Sequence, residues 1–434
     1  MKNKKLWNEG CKYIAGGNML FSKRPDLYLP DKWPPYYLKA KGCEIIGMDK
    51  KKYIDTSMMG IGTNVLGYAN KEVDDEVIKE IKNSNMSTLN SYHEVQLAKK
   101  LIQLHPWSSK VKFARSGGEA NSIAIRIARV VKKNSPIAVC GYHGWHDWYL
   151  ALNKKNNKKQ FNEYLMKGIP EEGIPKELSK YIYPFFYNNL DTLKFLIKKK
   201  RVRIIKMEVR RNILPKNNFL IKVKRLCEKN NCILIFDECT SGFRQTLGGL
   251  HKFYKVNPDI CIFGKAIGNG FPLTAILGTE KVMKNVSKTF ISSTFWTERT
   301  GSVAALKTIE IMERDKTWKT ILKTSRKIKS EWMRIAKKNK IKIEIFGIES
   351  ILKFKFLSEN NFIYKSIITE KMLEKGYLAN TAFYISIAHT DKILKNYFFH
   401  LNNIFKIIKK IEDGDNYKKY FKSKFPLSEF TRFN

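Results

Sequence analysis

The chain has 434 residues, 43% of them hydrophobic and 12% aromatic, which is enough for two or three structural units around a large core. Its 81 Lys and Arg against 40 Asp and Glu give a formal charge of +41, but the lysines are dispersed and no nucleic-acid motif accompanies them. The excess therefore reads as solvated faces with a field that suits anionic substrates, rather than as a nucleic-acid interface. The longest apolar runs fall far short of the roughly 20 residues of a membrane span.

In chain order, "MKNKKLWNEGCKYIAGG" at the start carries basic residues but no apolar run of the secretory kind, which points to the cytoplasm. A Pro/aromatic stretch, "LPDKWPPYYLKAKG", leads to an expected hairpin in "CEIIGMDKKKYIDTS". The middle of the chain alternates short apolar strands with helical patterns. "KVKFARSGGEANSIAIRIARVVKK" reads as strand, glycine turn and amphipathic helix; "IAVC", "VRIIKMEV", "NNCILIFDE", "DICIFG" and "TAILG" read as further strands. Strands alternating with helices imply an α/β fold with a mostly parallel sheet covered on both faces. A helix, "TGSVAALKTIEIMERD", closes this region, and "KIKIEIFGIESILKFKF" is an alternating strand pair in a smaller α+β unit. The expected organisation is an N-terminal segment of the small domain over 1–58, a large domain over 59–305 and the rest of the small domain over 306–434. The seven cysteines are scattered without metal-finger spacing and read as free thiols.

In an open α/β sheet, ligands bind beyond the carboxyl ends of the strands. Candidate residues cluster at those ends. Ser116-Gly117-Gly118-Glu119 follows one strand and opens a helix, where free N–H groups and the dipole favour an anion; an ordinary tight turn has the same composition. Asp237 ends "CILIFDE" and reads either as a strand-end cap or as the partner of a cationic ligand group. Lys265 ends "DICIFG", between an apolar run and glycines, where a buried lysine is costly unless paired, neutral or bonded. In "GYHGWHDW", His143 and His146 allow a metal site but have no third ligand, whereas Tyr142 could cover a flat cofactor. A lysine, an acid, a glycine turn and a stacking aromatic together suit pyridoxal phosphate, which needs a lysine for its Schiff base and an acid opposite its ring nitrogen.

The stretch "LIFDECTSGFRQTLGGLHKFYKVNPDICIFGKAIGNGFPLTAILG" closely resembles the core of the class III aminotransferases, and the similarity runs over nearly the whole chain. It includes "IAGGNMLFSKRP", "YIDTSMMGIGTNVLGYANKEV", "SGGEANSIAIRIAR" and "SSTFWTERTGSVAALKTI". "GGN", "GYHGWHD" and "SGFR" are most similar to glutamate-1-semialdehyde 2,1-aminomutase and its relatives. The resemblance implies a fold-type I pyridoxal-phosphate transferase acting as a homodimer on a small-molecule amino donor and a carbonyl acceptor. It implies that Lys265 forms the Schiff base, Asp237 binds the pyridine nitrogen and Tyr142 stacks on the ring. Ser116, Gly117, Gly118 and Thr294 would hold the phosphate, Thr294 from the partner subunit, with Glu208 and Asn212 supporting the site. Arg24 aligns loosely with a substrate-carboxylate arginine.

The departures bear on substrate. Gly118 stands where the family usually has Thr or Ser. "MEVRRN" lacks the usual Pro and is one residue short before Asn212. "TFWTERTG" places Phe295, Trp296 and Glu298 where smaller residues are usual, next to the expected site entrance. The expectation is therefore transamination of a sugar or surface-polysaccharide precursor, with the aminomutase reaction as the alternative.

Overall fold

The computed structural model describes residues 2–154 and 172–427, in two compact units. One is the chain up to Asn70 together with the chain from Lys319; the other is Lys71–Trp318. In the first, strands β1 (Tyr37–Lys41), β2 (Glu44–Gly47) and β3 (Lys52–Asp55) form an antiparallel meander. The β2–β3 pair is the expected hairpin; β1, in the Pro/aromatic stretch, was not anticipated.

The second unit holds a seven-stranded sheet. Its strands are β4 (Lys110–Ala114), β5 (Ile137–Cys140), β6 (Ile182–Pro184), β7 (Ile204–Glu208), β8 (Ile233–Glu238), β9 (Ile260–Phe263) and β10 (Thr274–Gly278). The order is β4-β10-β9-β8-β7-β5-β6, with only β10 antiparallel to its neighbours. Every residue of β7, β8 and β9 is buried, as a central strand with both faces covered requires. The Gly117–Val131 helix lays Ala120, Ile123, Ala124, Ile127 and Ala128 on the sheet, a helical stripe of small and branched residues.

In the first unit the later strands β11 (Ile343–Ile348), β12 (Ile351–Phe356) and β14 (Ala382–Tyr384) form a second antiparallel sheet, and β13 (Tyr377–Leu378) joins β3 in parallel. The units divide at Asn70/Lys71 and Trp318/Lys319, later than the cuts at 58 and 305 expected from sequence. The physical reason is visible at both places. Val65 O accepts bonds from Ile387 N and Ser386 Oγ, and Tyr68 N donates to Gly42 O, which ties 59–70 into the first unit. The Thr300–Asp315 helix packs on the Lys71–Ile81 helix and so belongs to the second. Among the described residues no helix is long and apolar enough to cross a membrane.

Candidate active site

The candidate residues of the second unit other than Thr294 lie at or just beyond the carboxyl ends of β4, β5, β7, β8 and β9. Asp237 is the penultimate residue of β8 and is buried. Its Oδ2 faces His143 Nδ1 at 2.9 Å and its Oδ1 accepts Cys239 N at 3.1 Å. Burial pushes this carboxyl up, but Lys206 and the His143 hydrogen bond outweigh burial and hold it well below the usual carboxylate range. Asp237 is therefore an anion before any ligand arrives, and His143, which burial and Lys206 push down, donates to it as a neutral ring.

Lys265 lies two residues beyond β9, the strand that pairs with β8 so that Ile262 stands opposite Asp237. Its backbone is left-handed, with φ 49°, a conformation that costs a non-glycine residue about 1 kcal/mol or more and persists only where surroundings impose it. Its Nζ donates to Thr240 Oγ1 at 2.8 Å, three residues along from Asp237. The turn thus aims a half-buried amine back over the end of β8.

Ser116 caps the Gly117–Val131 helix. Its hydroxyl accepts Glu119 N at 3.4 Å while Glu119 Oε2 accepts Ser116 N at 2.7 Å, a complete capping box. That box satisfies the cap and leaves Gly117 and Gly118, the first two helical residues, with N–H groups that have no intrahelical acceptor. Gly118 is also packed tight: a Cβ there would stand 2.7 Å from His146 Nε2. Tyr142 is half-buried; its N–H donates to Glu208 Oε2 at 3.1 Å and its ring meets Tyr149 edge-on at 6.0 Å. Glu208 holds Arg211 Nη1 at 2.8 Å through its other oxygen, and both are buried. Asn212 follows Arg211 at a half-buried position.

Three features singled out in the sequence have the following partners. His143 and His146 serve separate partners, Asp237 and Ser122 Oγ, and do not converge. Glu298 and Trp296 turn into the fold: Glu298 pairs with Arg115 Nε at 2.9 Å and accepts Thr300 N, while Trp296 Nε1 donates to Glu119. They repack the start of the Thr300–Asp315 helix, whereas Phe295 and Thr294 are exposed. Arg24 belongs to the first unit, where its guanidinium is engaged by both oxygens of Asp26.

Two neighbours of these residues escaped the sequence reading. Thr240 holds Lys265, and Lys206, buried in β7, stands 3.9 Å from Asp237. The second had a signal: a lysine in the middle of the apolar strand "RIIKMEV".

An anion at the end of β8, a nearby strained lysine and open helix N–H groups fit a cofactor with a basic ring nitrogen, an aldehyde and a phosphate. The sequence also matches the family described as aminotransferase class-III over residues 31–412. It is 32% identical to 3-aminobutyryl-CoA aminotransferase of Cloacimonas acidaminovorans, over 89% of this chain and 92% of that one. It is 31% identical to a glutamate-1-semialdehyde 2,1-aminomutase of Sulfurisphaera tokodaii, over 90% of each. Among solved structures, the internal aldimine form of the Sphingopyxis sp. MTA144 FumI protein superposes with a TM-score of 0.84 at 20% identity, covering 95% of this chain and 98% of that one. An omega-transaminase from Sphaerobacter thermophilus gives 0.82 at 19%, covering 95% and 98%. The chain belongs to the class III aminotransferases. It is a pyridoxal-phosphate-dependent enzyme of the fold-type I class.

Proposed function

We propose that this chain is a two-substrate transaminase, moving an amino group from a small-molecule donor to a polar, anionic carbonyl acceptor of the sugar or surface-polysaccharide precursor kind. The observation that carries the chemistry is the strained Lys265 beside an ionised Asp237. The anionic acceptor is supported by the chain's charge of +41.

When bound, pyridoxal phosphate supplies a carbonyl that captures amines and a ring that accepts negative charge from the substrate carbon. The chain supplies the rest. Asp237 holds the proton on the ring nitrogen by charge, and His143 holds Asp237 in place. Gly117 and Gly118 N–H groups receive the phosphate at the helix N-terminus, with Ser116 shaping the turn. Tyr142 covers the ring from a backbone position that Glu208 fixes, with Asn212 in the neighbouring turn. Lys265 would be the base, its Nζ taking the proton from the substrate carbon and holding it for return. Thr240 Oγ1 gives that amine a resting partner.

We place Thr294 at the phosphate of a partner subunit in a homodimer. It is exposed between Phe290 and Phe295, whose side chains are 88% and 68% exposed, an apolar surface of the kind that pairs with another chain. Sedimentation of the loaded protein checks this, a monomer at micromolar concentration being the contrary result. We assign Arg24 to a substrate carboxylate, which would have to displace Asp26 from its guanidinium.

An intramolecular aminomutase is the second reading, favoured by the 31% identity to a protein of that name. The test is incubation of the pyridoxal-phosphate form with glutamate-1-semialdehyde alone. Conversion to 5-aminolevulinate without an added donor overturns the two-substrate reading. Turnover only with a donor and a separate carbonyl acceptor supports it, and an acceptor panel then decides whether sugar-derived carbonyls are preferred.

A further inference from the structure

Strand β7 carries a charge that the chemistry above does not use. Lys206 lies mid-strand in Ile204-Ile205-Lys206-Met207-Glu208 and is fully buried. β7 runs between β5 and β8, so its side chain has no short route to water. The Nζ makes no hydrogen bond. Its ion-pair partner is Asp237 Oδ2 at 3.9 Å, the same oxygen that faces His143 at 2.9 Å. The register sets Glu208 opposite Asp237, and Lys206 is two residues back on the same face of the sheet.

The charges around it leave one assignment. Five titratable groups face Lys206: Asp237 and Cys239 at the end of β8, Cys261 on β9, Glu208 on β7 and His143 after β5. Glu208 is already matched by Arg211. Burial pushes both thiols up, so they are neutral. His143 is neutral and donates. Burial pushes the Lys206 ammonium down and Asp237 pushes it back up; Asp237 is the one carboxylate in this group without another charged partner, and Lys206 stands 3.9 Å from it. An unmatched ammonium at this depth would be strongly unfavourable.

We propose that Lys206 is a positioning residue: an internal cation that keeps Asp237 ionised and aimed before the cofactor enters, and that restrains how strongly Asp237 holds the ring-nitrogen proton afterwards. The second half rests on the reading that Asp237 meets that nitrogen. In the empty protein Lys206 prevents a buried carboxylate from taking up a proton. In the loaded protein it competes with the ring for the same charge, so the electron sink is weaker than Asp237 and His143 alone would make it.

The test has two arms. In the first, cofactor-stripped wild type, Lys206→Met, Asp237→Asn and the double variant are unfolded in urea. Asp237→Asn is expected to lower the midpoint markedly, because it strands Lys206, and Lys206→Met is expected to abolish most of that drop. An Asp237→Asn midpoint equal to that of the wild type overturns the pairing, and that result does not depend on whether Lys206→Met folds. In the second arm, the visible absorbance of the pyridoxal-phosphate-loaded protein is titrated with pH. Removing the cation behind Asp237 should raise the midpoint by about one pH unit, and an unchanged midpoint overturns the tuning role. Coupling in urea with an Asp237→Asn absorbance identical to wild type would leave the ion pair standing but remove Asp237 from the ring nitrogen, so the two ideas fail separately.

Discussion

Asp237 and Glu238 are neighbours on one strand, both buried, facing opposite sides of the sheet. Glu238 is saturated: it accepts Ser241 Oγ, Leu250 N, His251 N and His251 Nδ1, and His251 Nε2 in turn accepts Trp107 Nε1. Asp237 accepts one ring nitrogen and one backbone N–H, with the Cys239 thiol also against it and an unbonded ammonium behind it. A buried carboxylate surrounded by donors is an anchor that nothing else needs to complete. One left with spare lone pairs and a cation at 3.9 Å is charged in readiness for something absent from the chain itself. Glu238, His251 and Cys261 lie close enough to suggest a metal cluster, yet both nitrogens of His251 are already committed.

The largest effect should come from the residue aimed over the open side. Lys265→Ala is expected to lower turnover by at least about 10⁴-fold, since it removes both the covalent attachment and the base. Borohydride reduction and peptide mapping of the wild type should place the pyridoxyl group on Lys265; label on another lysine, Lys206 included, would break the assignment. Next is Asp237→Asn, expected to cost about 10²–10³-fold in turnover through loss of electrostatic stabilisation. Because it also strands Lys206, it should destabilise the empty protein. Near-normal turnover would reduce Asp237 to a strand-end cap.

How much of this was legible follows the same division. Lys265 and Asp237 stood out because each ends an apolar run, where a charge has no bland reason to be. The strands β7 to β10 and the Thr300–Asp315 helix were legible by pattern. Lys206 was hidden by the lysine excess, although its place inside "RIIKMEV" gave the same signal. Thr240 and Glu298 were not legible: Lys265 reaches Thr240 across a turn, and Arg115 reaches Glu298 across 183 residues. The unit boundaries were missed because they depend on which helix packs on which, not on composition.

On the closed face the expected loss is stability rather than catalysis. Glu238→Gln should cost about 2–3 kcal/mol while leaving cofactor absorbance unchanged. The sign with pH is fixed by its carboxyl: burial alone would raise it, but His251 and the N–H groups of Leu250 and His251 pull it below its ordinary 4.5. The stabilisation is therefore fully present above 4.5 and fades as pH falls through the lowered value. Urea unfolding of wild type and Glu238→Gln should differ most near neutrality and converge in acid. A gap that widened in acid would mean that the network is held by something other than the ionised carboxylate.

The smallest expected effect tests whether the open face is as finished as its departures from the family pattern suggest. Gly118 stands where a hydroxyl residue is usual, and restoring one looks like an improvement for phosphate binding. The packing argues the reverse. A Cβ at Gly118 would stand 2.7 Å from His146 Nε2 and 2.8 Å from its Cδ2. His146 cannot simply turn away, because Nδ1 is tied to Ser122 Oγ at 2.6 Å and its ring lies against Trp145 at 4.5 Å. On the other side, the backbone of Gly144, at φ 102°, approaches so closely that its own added Cβ would meet Gly118 Cα at 3.2 Å. The "GYHGWHD" turn thus fills the volume that a side chain would occupy. Gly118→Ser should push that turn back and tilt the first-turn N–H groups, at a cost of about 1 kcal/mol. Pyridoxal phosphate should then bind roughly five- to tenfold more weakly, with Kd read by fluorescence titration of the stripped protein. His146→Ala combined with Gly118→Ser should recover most of the loss by emptying the space. Tighter binding in the single variant would show that this helix end lacks a ligand for its phosphate, and that the missing hydroxyl is a deficit rather than an exchange.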